Sequence, residues 1–510
     1  MCTGDLTGRY LEMLARSMDH DTHDEERLHQ LFNRILKCKT HLGPVGLDFI
    51  EGLDNPAKAD PFSVGAKTFV GSIRYYLQTG EGKALQLAID TAEYFLARIE
   101  IVDKTITQGK FNTAWWITEP FALLYGITGD ERYLKPCRII EKAMPASIEK
   151  THSHSFMTTL RGLQLAAIFS GDNSFNRLPE KFRTEIQERA VWADGNIPEI
   201  FPMSTRNEGC SIADWIMLNL YAGFITGNDE AYEKAELAMY NAFALNQLVN
   251  GSFGHRLLDK DRRGYQQGEL VEEAWWCCVH NCGISIIEYA NHAVTLRDNY
   301  IKVNLLVPGK YCFEIDGKKV TVTITARYPE KADALIFLTG ACQGLELDVR
   351  IPAGIRNGKV SKTVMPGGGL RFTLSGDIGY YIETTPHGSV LKYGPLVMVP
   401  LRYMSKSEVV YDDFSKSAAP EGYVPDIMPT DRPVIVPVKE KDDAGFFVYS
   451  QEPWPVWQCY EEGILSPLAY GELSVNVPLY YPDGQIRLTR FYPEWLSSTS
   501  LVGFDLPLVF

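Results

Sequence analysis

Two short segments hold most of the residue types able to do chemistry. The first runs Thr205-Arg206-Asn207-Glu208-Gly209-Cys210-Ser211-Ile212-Ala213-Asp214-Trp215. The second runs Glu272-Glu273-Ala274-Trp275-Trp276-Cys277-Cys278-Val279-His280-Asn281-Cys282. Four of the ten cysteines fall between Cys210 and Cys282. Glu208 and Cys210 lie two apart at an expected helix start, where a non-helical backbone can aim both side chains at one point. Cys277 and Cys278 are adjacent, and a regular helix would point them apart, so shared binding of one ion would require a turn. Three thiolates and a carboxylate make a four-ligand shell suited to zinc. Neither segment has C-x-x-C spacing, and free cysteines are often simply buried. On residue types alone, a zinc centre and an apolar core both stand.

Other polar residues have weaker claims. His152 and His154 lie in Thr-His-Ser-His-Ser at the head of a helix, where ligand contacts or a surface loop would both suit them. Trp115, Trp116 and Glu119 open another helix, and aromatic faces either stack on sugar rings or pack as core. Glu272 and Glu273 precede Cys277, either to orient the site or as a solvated pair. His255 and His280 are candidates to support the ligands, with an ordinary structural role as the alternative. Gly367-Gly368-Gly369 lacks the Gly-Lys-Ser/Thr ending of a phosphate loop and reads as a hairpin turn.

The chain that must position these residues is 510 residues long, with 45% hydrophobic and 22% charged residues. That is ordinary globular usage, with enough length for about three domains. A net charge of −14 and the lack of a Lys/Arg-rich run argue against a nucleic-acid partner. Ten cysteines in 510 residues are too few for a disulfide scaffold. No segment approaches 18 charge-free apolar residues, so no membrane span is expected. The start, MCTGDLTGRYLEML, has no basic stretch leading into an apolar run, so the expected setting is cytoplasmic. A homodimer is compatible with all of this.

Residues 1–298 read as helical. Amphipathic runs recur over 64–97, 111–126, 129–145, 155–170, 175–190, 209–226, 229–247 and 270–293, with two further helices within 5–37. The joints Ile127-Thr128-Gly129-Asp130, Ser170-Gly171-Asp172-Asn173 and Thr226-Gly227-Asn228-Asp229 place Gly at a left-handed cap and Asp or Asn at the next helix start. Eleven or twelve paired helices suggest an (α/α)6 barrel, with a solenoid as the competitor. Near Asp298 the period changes. Lys319-Val320-Thr321-Val322-Thr323-Ile324-Thr325 alternates as a half-buried strand should, and short strands continue to the end. The expected architecture is multidomain α+β: a barrel over 1–298, a β-sandwich over 299–405 and a second sandwich-like domain over 406–510.

Glu208–Leu220, Tyr232–Leu248, Gly251-Ser252-Phe253-Gly254-His255-Arg256 and Cys277-Cys278 resemble glycoside hydrolase family 127 and its relatives, which include β-L-arabinofuranosidases. Asn304–Ile351 and Tyr393-Gly394-Pro395 resemble the family's first β domain. The resemblance spans most of residues 110–400. It implies the same barrel followed by β-sandwiches, and zinc held by Glu208, Cys210, Cys277 and Cys278. It further implies that Cys277 is the nucleophile and an upstream glutamate the general acid/base, for which Glu199 is the candidate and Asp194 the competitor. The expected substrate is a small oligosaccharide or glycoside, contacted by His152, His154, Trp115, Glu272 and His255. A lyase or epimerase on the same barrel, and a non-catalytic sugar-binding protein with a structural zinc, are the competing classes.

Overall fold

A computed structural model describes residues 5–18, 24–37, 61–97, 116–204, 206–247, 253–255, 276–340, 344–366, 368–385, 388–400, 475–480 and 486–493. The first half is helical: α1 (Asp5–Ser17), α2 (Glu25–Lys37), α3 (Pro61–Thr79), α4 (Gly82–Leu96), α5 (Thr118–Thr128), α6 (Leu134–Ala143), α7 (Ser153–Ser170), α8 (Arg177–Arg189), α9 (Gly209–Thr226), α10 (Asp229–Ala238) and α11 (Trp276–Asn291). None of these helices is long and apolar enough to cross a membrane.

The three expected joints form as their chemistry dictates. Gly129, Gly171 and Gly227 close their helices at φ near 70°, a left-handed turn that glycine adopts without a Cβ clash. Asp130, Asp172 and Asn228 then accept backbone N–H groups two residues on, starting the next turn.

The helices divide by burial. In α7 every residue from Ser153 to Ala167 is buried, and in α9 every residue from Gly209 to Gly223. A helix covered on all sides must lie inside the domain. By contrast α2 and α8 bury one stripe, Leu28, Phe32 and Ile35 in α2 and Phe182 and Ile186 among others in α8. The odd-numbered helices pack in sequence: α1 on α3, α3 on α5, α5 on α7, α7 on α9, α9 on α11, and α11 back on α1. Close approach inside this circuit requires glycine. A Cβ at Gly162 of α7 would stand 2.1 Å from Thr118 Oγ1 and 2.5 Å from the Glu119 amide of α5. Phe121, Phe156 and Trp215 lie fully inside the resulting core.

The circuit also encloses charge. Arg16 of α1 is 6% exposed and pairs with Glu12, with Glu119 of α5 and with Glu288 of α11. Arg161 of α7 reaches Glu119 at 3.5 Å and Asp214 of α9 at 3.4 Å. These pairs tie five of the six inner helices together.

Sheets follow. Strands β1 (Val294–Arg297), β2 (Tyr300–Val303) and β6 (Glu346–Val349) form a small sheet in which β2 and β6 are parallel. A five-stranded antiparallel sheet has the order β3-β4-β5-β8-β7, from β3 (Gly309–Ile315), β4 (Lys318–Ala326), β5 (Ala334–Gly340), β7 (Arg356–Val364) and β8 (Leu370–Asp377). In β4, Val320, Val322 and Ile324 point into the core and alternate with Thr321 and Thr323. A third sheet joins β9 (Tyr380–Thr385), β10 (Gly388–Tyr393) and β11 (Leu396–Pro400) to β12 (Val475–Tyr480) and β13 (Ile486–Pro493). Its β11–β13 pairing crosses residue 405, where the pattern had suggested a cut. Backbone pairing between segments 86 residues or more apart leaves no local trace in the sequence. Arg350, 2% exposed, fastens the sheets to the helices by pairing with Glu233 and Glu236 of α10 and with the Asn304 carbonyl.

Candidate active site

Three inner helices begin at the same place. His152 precedes α7, Glu208 precedes α9, and Cys277 and Cys278 stand in the first turn of α11. One ligand atom from each of Glu208, Cys210, Cys277 and Cys278 lies within 4.8 Å of the others, and all four residues are buried. Cys277 Sγ is 3.4 Å from Glu208 Oε1 and 3.9 Å from Cys278 Sγ. The expected turn at the cysteine pair is instead the start of a helix. Neighbouring side chains there diverge by about 100°, yet both sulfurs border the space that Glu208 and Cys210 face from the side. Free N–H groups at helix starts favour anions, so three such ends suit thiolates and carboxylates.

The donor set fits a zinc ion. Burial pushes the Cys210 thiol up. Cys277, which Cys210 pulls down, is pushed to about 11 by Cys278 and by burial. Cys278 falls to about 6 against its burial, because Cys210 and Cys277 both donate to it. A divalent cation at this point would let all three sulfurs ionise.

A small antiparallel ladder supplies the next layer. His152 pairs with Ile200, and Pro198 with Asn207. The Glu199 amide donates to the Arg206 carbonyl at 3.0 Å, and Ser153 donates to the Glu199 carbonyl at 2.9 Å. This pairing sets His152, Glu199, Arg206 and Glu208 side by side. Arg206 grips both Glu199 oxygens, through Nε to Oε2 and through Nη2 to Oε1 at 2.7 Å. Glu199, His152 and Glu208 also converge within 4.8 Å. His152 Nδ1 accepts from the Ser155 amide at 3.3 Å, and its Nε2 lies 3.2 Å from Glu208 Oε2. The nearby Glu208 carboxylate raises the His152 pKa despite the opposing effect of burial.

His154 sits deeper, 2% exposed. Its Nδ1 is 2.5 Å from Asp214 Oδ2 and its Nε2 is 3.3 Å from Arg9. Burial lowers its pKa to about 4, against the opposing pull of Asp214. Asp214, despite burial, is lowered to about 2 by Arg161 and His154. Asn281 donates both to Asp214 Oδ1 and to the Cys210 carbonyl, each at 3.1 Å, linking this network to the thiols. His255 is buried, with its pKa lowered by burial, within electrostatic reach of Glu208, Glu199 and Cys277. Asp194 accepts from the Asn196 amide at 3.0 Å and caps its own turn. Cys282, one turn beyond Cys278, packs against Gly209, where a Cβ would stand 3.1 Å from its sulfur. Trp115 and Glu272 lie outside the described residues.

Arg206, Asp214, Asn281 and Arg9 were not singled out from sequence. Arg206 carries no periodic signal, because it meets Glu199 only through the ladder. Asp214 and Asn281 were in view, yet a lone polar residue on an apolar helix gives no hint of its partner.

Three comparisons bear on this site. The description of the matching family model, over residues 1–291, is "Beta-L-arabinofuranosidase, GH127 catalytic domain". A comparison with curated proteins finds no match. Among solved structures, the chain is similar to a GH127 β-L-arabinofuranosidase from Geobacillus stearothermophilus T6, with a TM-score of 0.67, 13% identity, and coverage of 100% of this chain and 90% of that one. It is also similar to the GH127 β-arabinofuranosidase BT3674, at a TM-score of 0.64 and 14% identity, covering 96% and 85%. A further structure named only as a glycoside hydrolase gives 0.69 at 13% identity, covering 99% and 91%. At these identities the likeness concerns the fold, a helical domain joined to β-sheets. The family match spans more than half of the chain and contains every residue of the Glu208–Cys278 cluster, so the chain belongs to the GH127 β-L-arabinofuranosidase family and is a glycoside hydrolase.

Proposed function

We propose that this enzyme is a retaining glycosidase, acting on arabinofuranosides or related small glycan ends, with Cys277 as nucleophile and Glu199 as general acid/base. The convergence of Glu208, Cys210, Cys277 and Cys278 on one point supports this reading most directly. Zinc held by those four residues would keep the thiolate form available at neutral pH. Cys277 Sγ attacks the anomeric carbon as the bond to the leaving oxygen breaks, and Glu199 supplies the proton that oxygen needs. Water then attacks the same carbon, Glu199 takes its proton, and Cys277 leaves as thiolate. Two displacements at one carbon give net retention. Because Arg206 holds both Glu199 oxygens, one must swing free of it to serve the substrate. The circuit of six inner helices is consistent with an (α/α)6 barrel whose mouth is the end carrying the helix starts. We divide the remainder near residue 379, so that the sheet containing β9 to β13 stays whole. A cytoplasmic setting suits thiols that must stay reduced.

The test is the stereochemistry of the first product together with Glu199→Gln. The released sugar should keep its anomeric configuration by NMR at early times. Glu199→Gln should lose about 10²-fold or more in kcat/KM on alkyl glycosides, and much less on aryl glycosides whose leaving group needs no proton. An inverted product, an unsaturated sugar or an isomer formed without added water would overturn the reading.

A further inference from the structure

A cavity of about 490 Å³ lies at the far end of the inner helices from the thiol site. It is lined by the last turns of α7, α9 and α11, by Arg74 of α3 and Leu123 of α5, and by β1 and β3. The thiol site stands at the starts of α7, α9 and α11. The length of a helix, about 25 Å for the 18 residues of α7, therefore separates the two places. The volume is that of an ordinary small-molecule site.

Three phenylalanines from three elements wall the cavity: Phe169 of α7, Phe224 of α9 and Phe313 of β3. Phe169 is 42% exposed, and its ring lies on Gly126 of α5. The Phe224 ring meets His292 edge-on, with centroids 6.2 Å apart, and the Arg297 guanidinium stands 5.1 Å above it.

The polar end of the lining holds Arg74, Tyr221 and Glu288. Glu288 is engaged on both oxygens, by Arg16 on one and by the Tyr221 hydroxyl at 3.1 Å on the other. Arg74 is held far more loosely. Its Nε is buried without a hydrogen-bond partner. Its ion pair with Glu119 spans 3.8 Å, too long for a hydrogen bond, and Glu119 stands nearer to Arg16, at 3.1 Å. Burial and the Arg16 charge push the Arg74 pKa down, and Glu288 and Glu119 offset this only in part. A buried donor without an acceptor is costly, and the planar fork of a guanidinium matches a carboxylate on two N–H groups at once. An apolar chamber with such a fork at its polar end suits a ligand of the same two-part design.

We propose that this cavity is a second ligand site, separate from the thiol centre, and that it takes a small organic carboxylate with a ring-sized apolar body. Arg74 holds the carboxylate, and the body lies among Phe169, Phe224 and Phe313. A wholly apolar ligand would leave the Arg74 Nε unsatisfied.

The experiment titrates the full chain with 3-phenylpropionate and with its neutral isostere 3-phenylpropionamide, by calorimetry and ligand-observed NMR. Wild type should bind the acid with a Kd of about 1 mM or tighter and prefer it to the amide by about tenfold or more. Arg74→Met should erase the preference, and Arg74→Lys should keep part of it. Phe169→Ala changes only a rim side chain, and it should weaken acid and amide alike by about threefold or more with the preference retained. Zinc-loaded and zinc-free enzyme should bind the acid equally. Equal binding of acid and amide, no binding of either at about 10 mM, or a preference that survives in Arg74→Met would overturn the proposal. Binding that required zinc would also overturn it, because the carboxylate would then sit at the thiol centre. Should Arg74→Met fail to fold, an undiminished affinity in both Arg74→Lys and Phe169→Ala would reject the site on its own.

Discussion

Cys277→Ala is expected to lower glycoside hydrolysis by about 10³-fold or more while leaving a folded protein. The expectation follows from the geometry of the first turn of α11. Cys277 is the sulfur within 3.4 Å of Glu208, and Glu208 in turn adjoins His152 and Glu199. In the proposed mechanism, losing this sulfur removes the attacking atom and leaves the acid/base nothing to assist. The other cysteines of the helix separate chemistry from metal binding. On the proposed assignment Cys278→Ala removes a zinc ligand without removing the nucleophile, so its defect should track lost zinc and ease as zinc is added. Cys282→Ala removes a thiol that packs against Gly209 and lies outside the four-residue cluster, and it should keep activity within a few-fold. Zinc content by mass spectrometry, circular dichroism and initial rates on an aryl arabinofuranoside check all three variants. A Cys277→Ala enzyme that retained its rate would exclude the cysteine mechanism.

The helices were legible because they leave a local signal, and the Glu208–Cys278 cluster because its residues carry the family resemblance. The α9 span, Gly209–Thr226, is the one that periodicity and its glycine joint suggest. The β4 strand, Lys318–Ala326, follows the strict alternation of Lys319–Thr325. Strand β7 was not foreseen. Eight of the nine residues of Arg356–Val364 are exposed, so this edge strand has no buried face to impose a period on its sequence. The charged interior was equally silent. Glu12 and Arg16 are spaced four apart on α1, as on any solvated helix face, and only closure of α11 onto α1 makes them interior. His152 and His154, two residues apart, were grouped as sugar contacts. The helix start separates them, turning His152 to Glu208 and His154 to Asp214.

Arg16→Met should cost about 3–5 kcal/mol of stability at pH 7, the range for breaking a buried ion pair from one side. Methionine fills much of the arginine volume, so the loss comes from charge and not from a cavity. Three carboxylates from three helices meet this guanidinium, and Glu12, Glu119 and Glu288 would be left inside without their shared cation. The pH dependence identifies the cause. Glu288, although burial opposes it, is depressed to about 2 from an ordinary 4.5, with the Arg16 charge the first of the effects that lower it. A depressed carboxylate stabilises the fold above its unfolded pKa, and that contribution fades as pH falls through the folded value. In wild type it is complete above about pH 4.5 and lost towards pH 2. The variant lacks most of it throughout, so the gap between the two proteins should be widest at neutral pH and narrow between pH 4.5 and 2. Urea unfolding at pH 7, 4 and 3 measures that gap. A difference that stayed constant across the series would mean that Arg16 acts by packing alone, and the electrostatic account of how α1 closes onto α5 and α11 would fall.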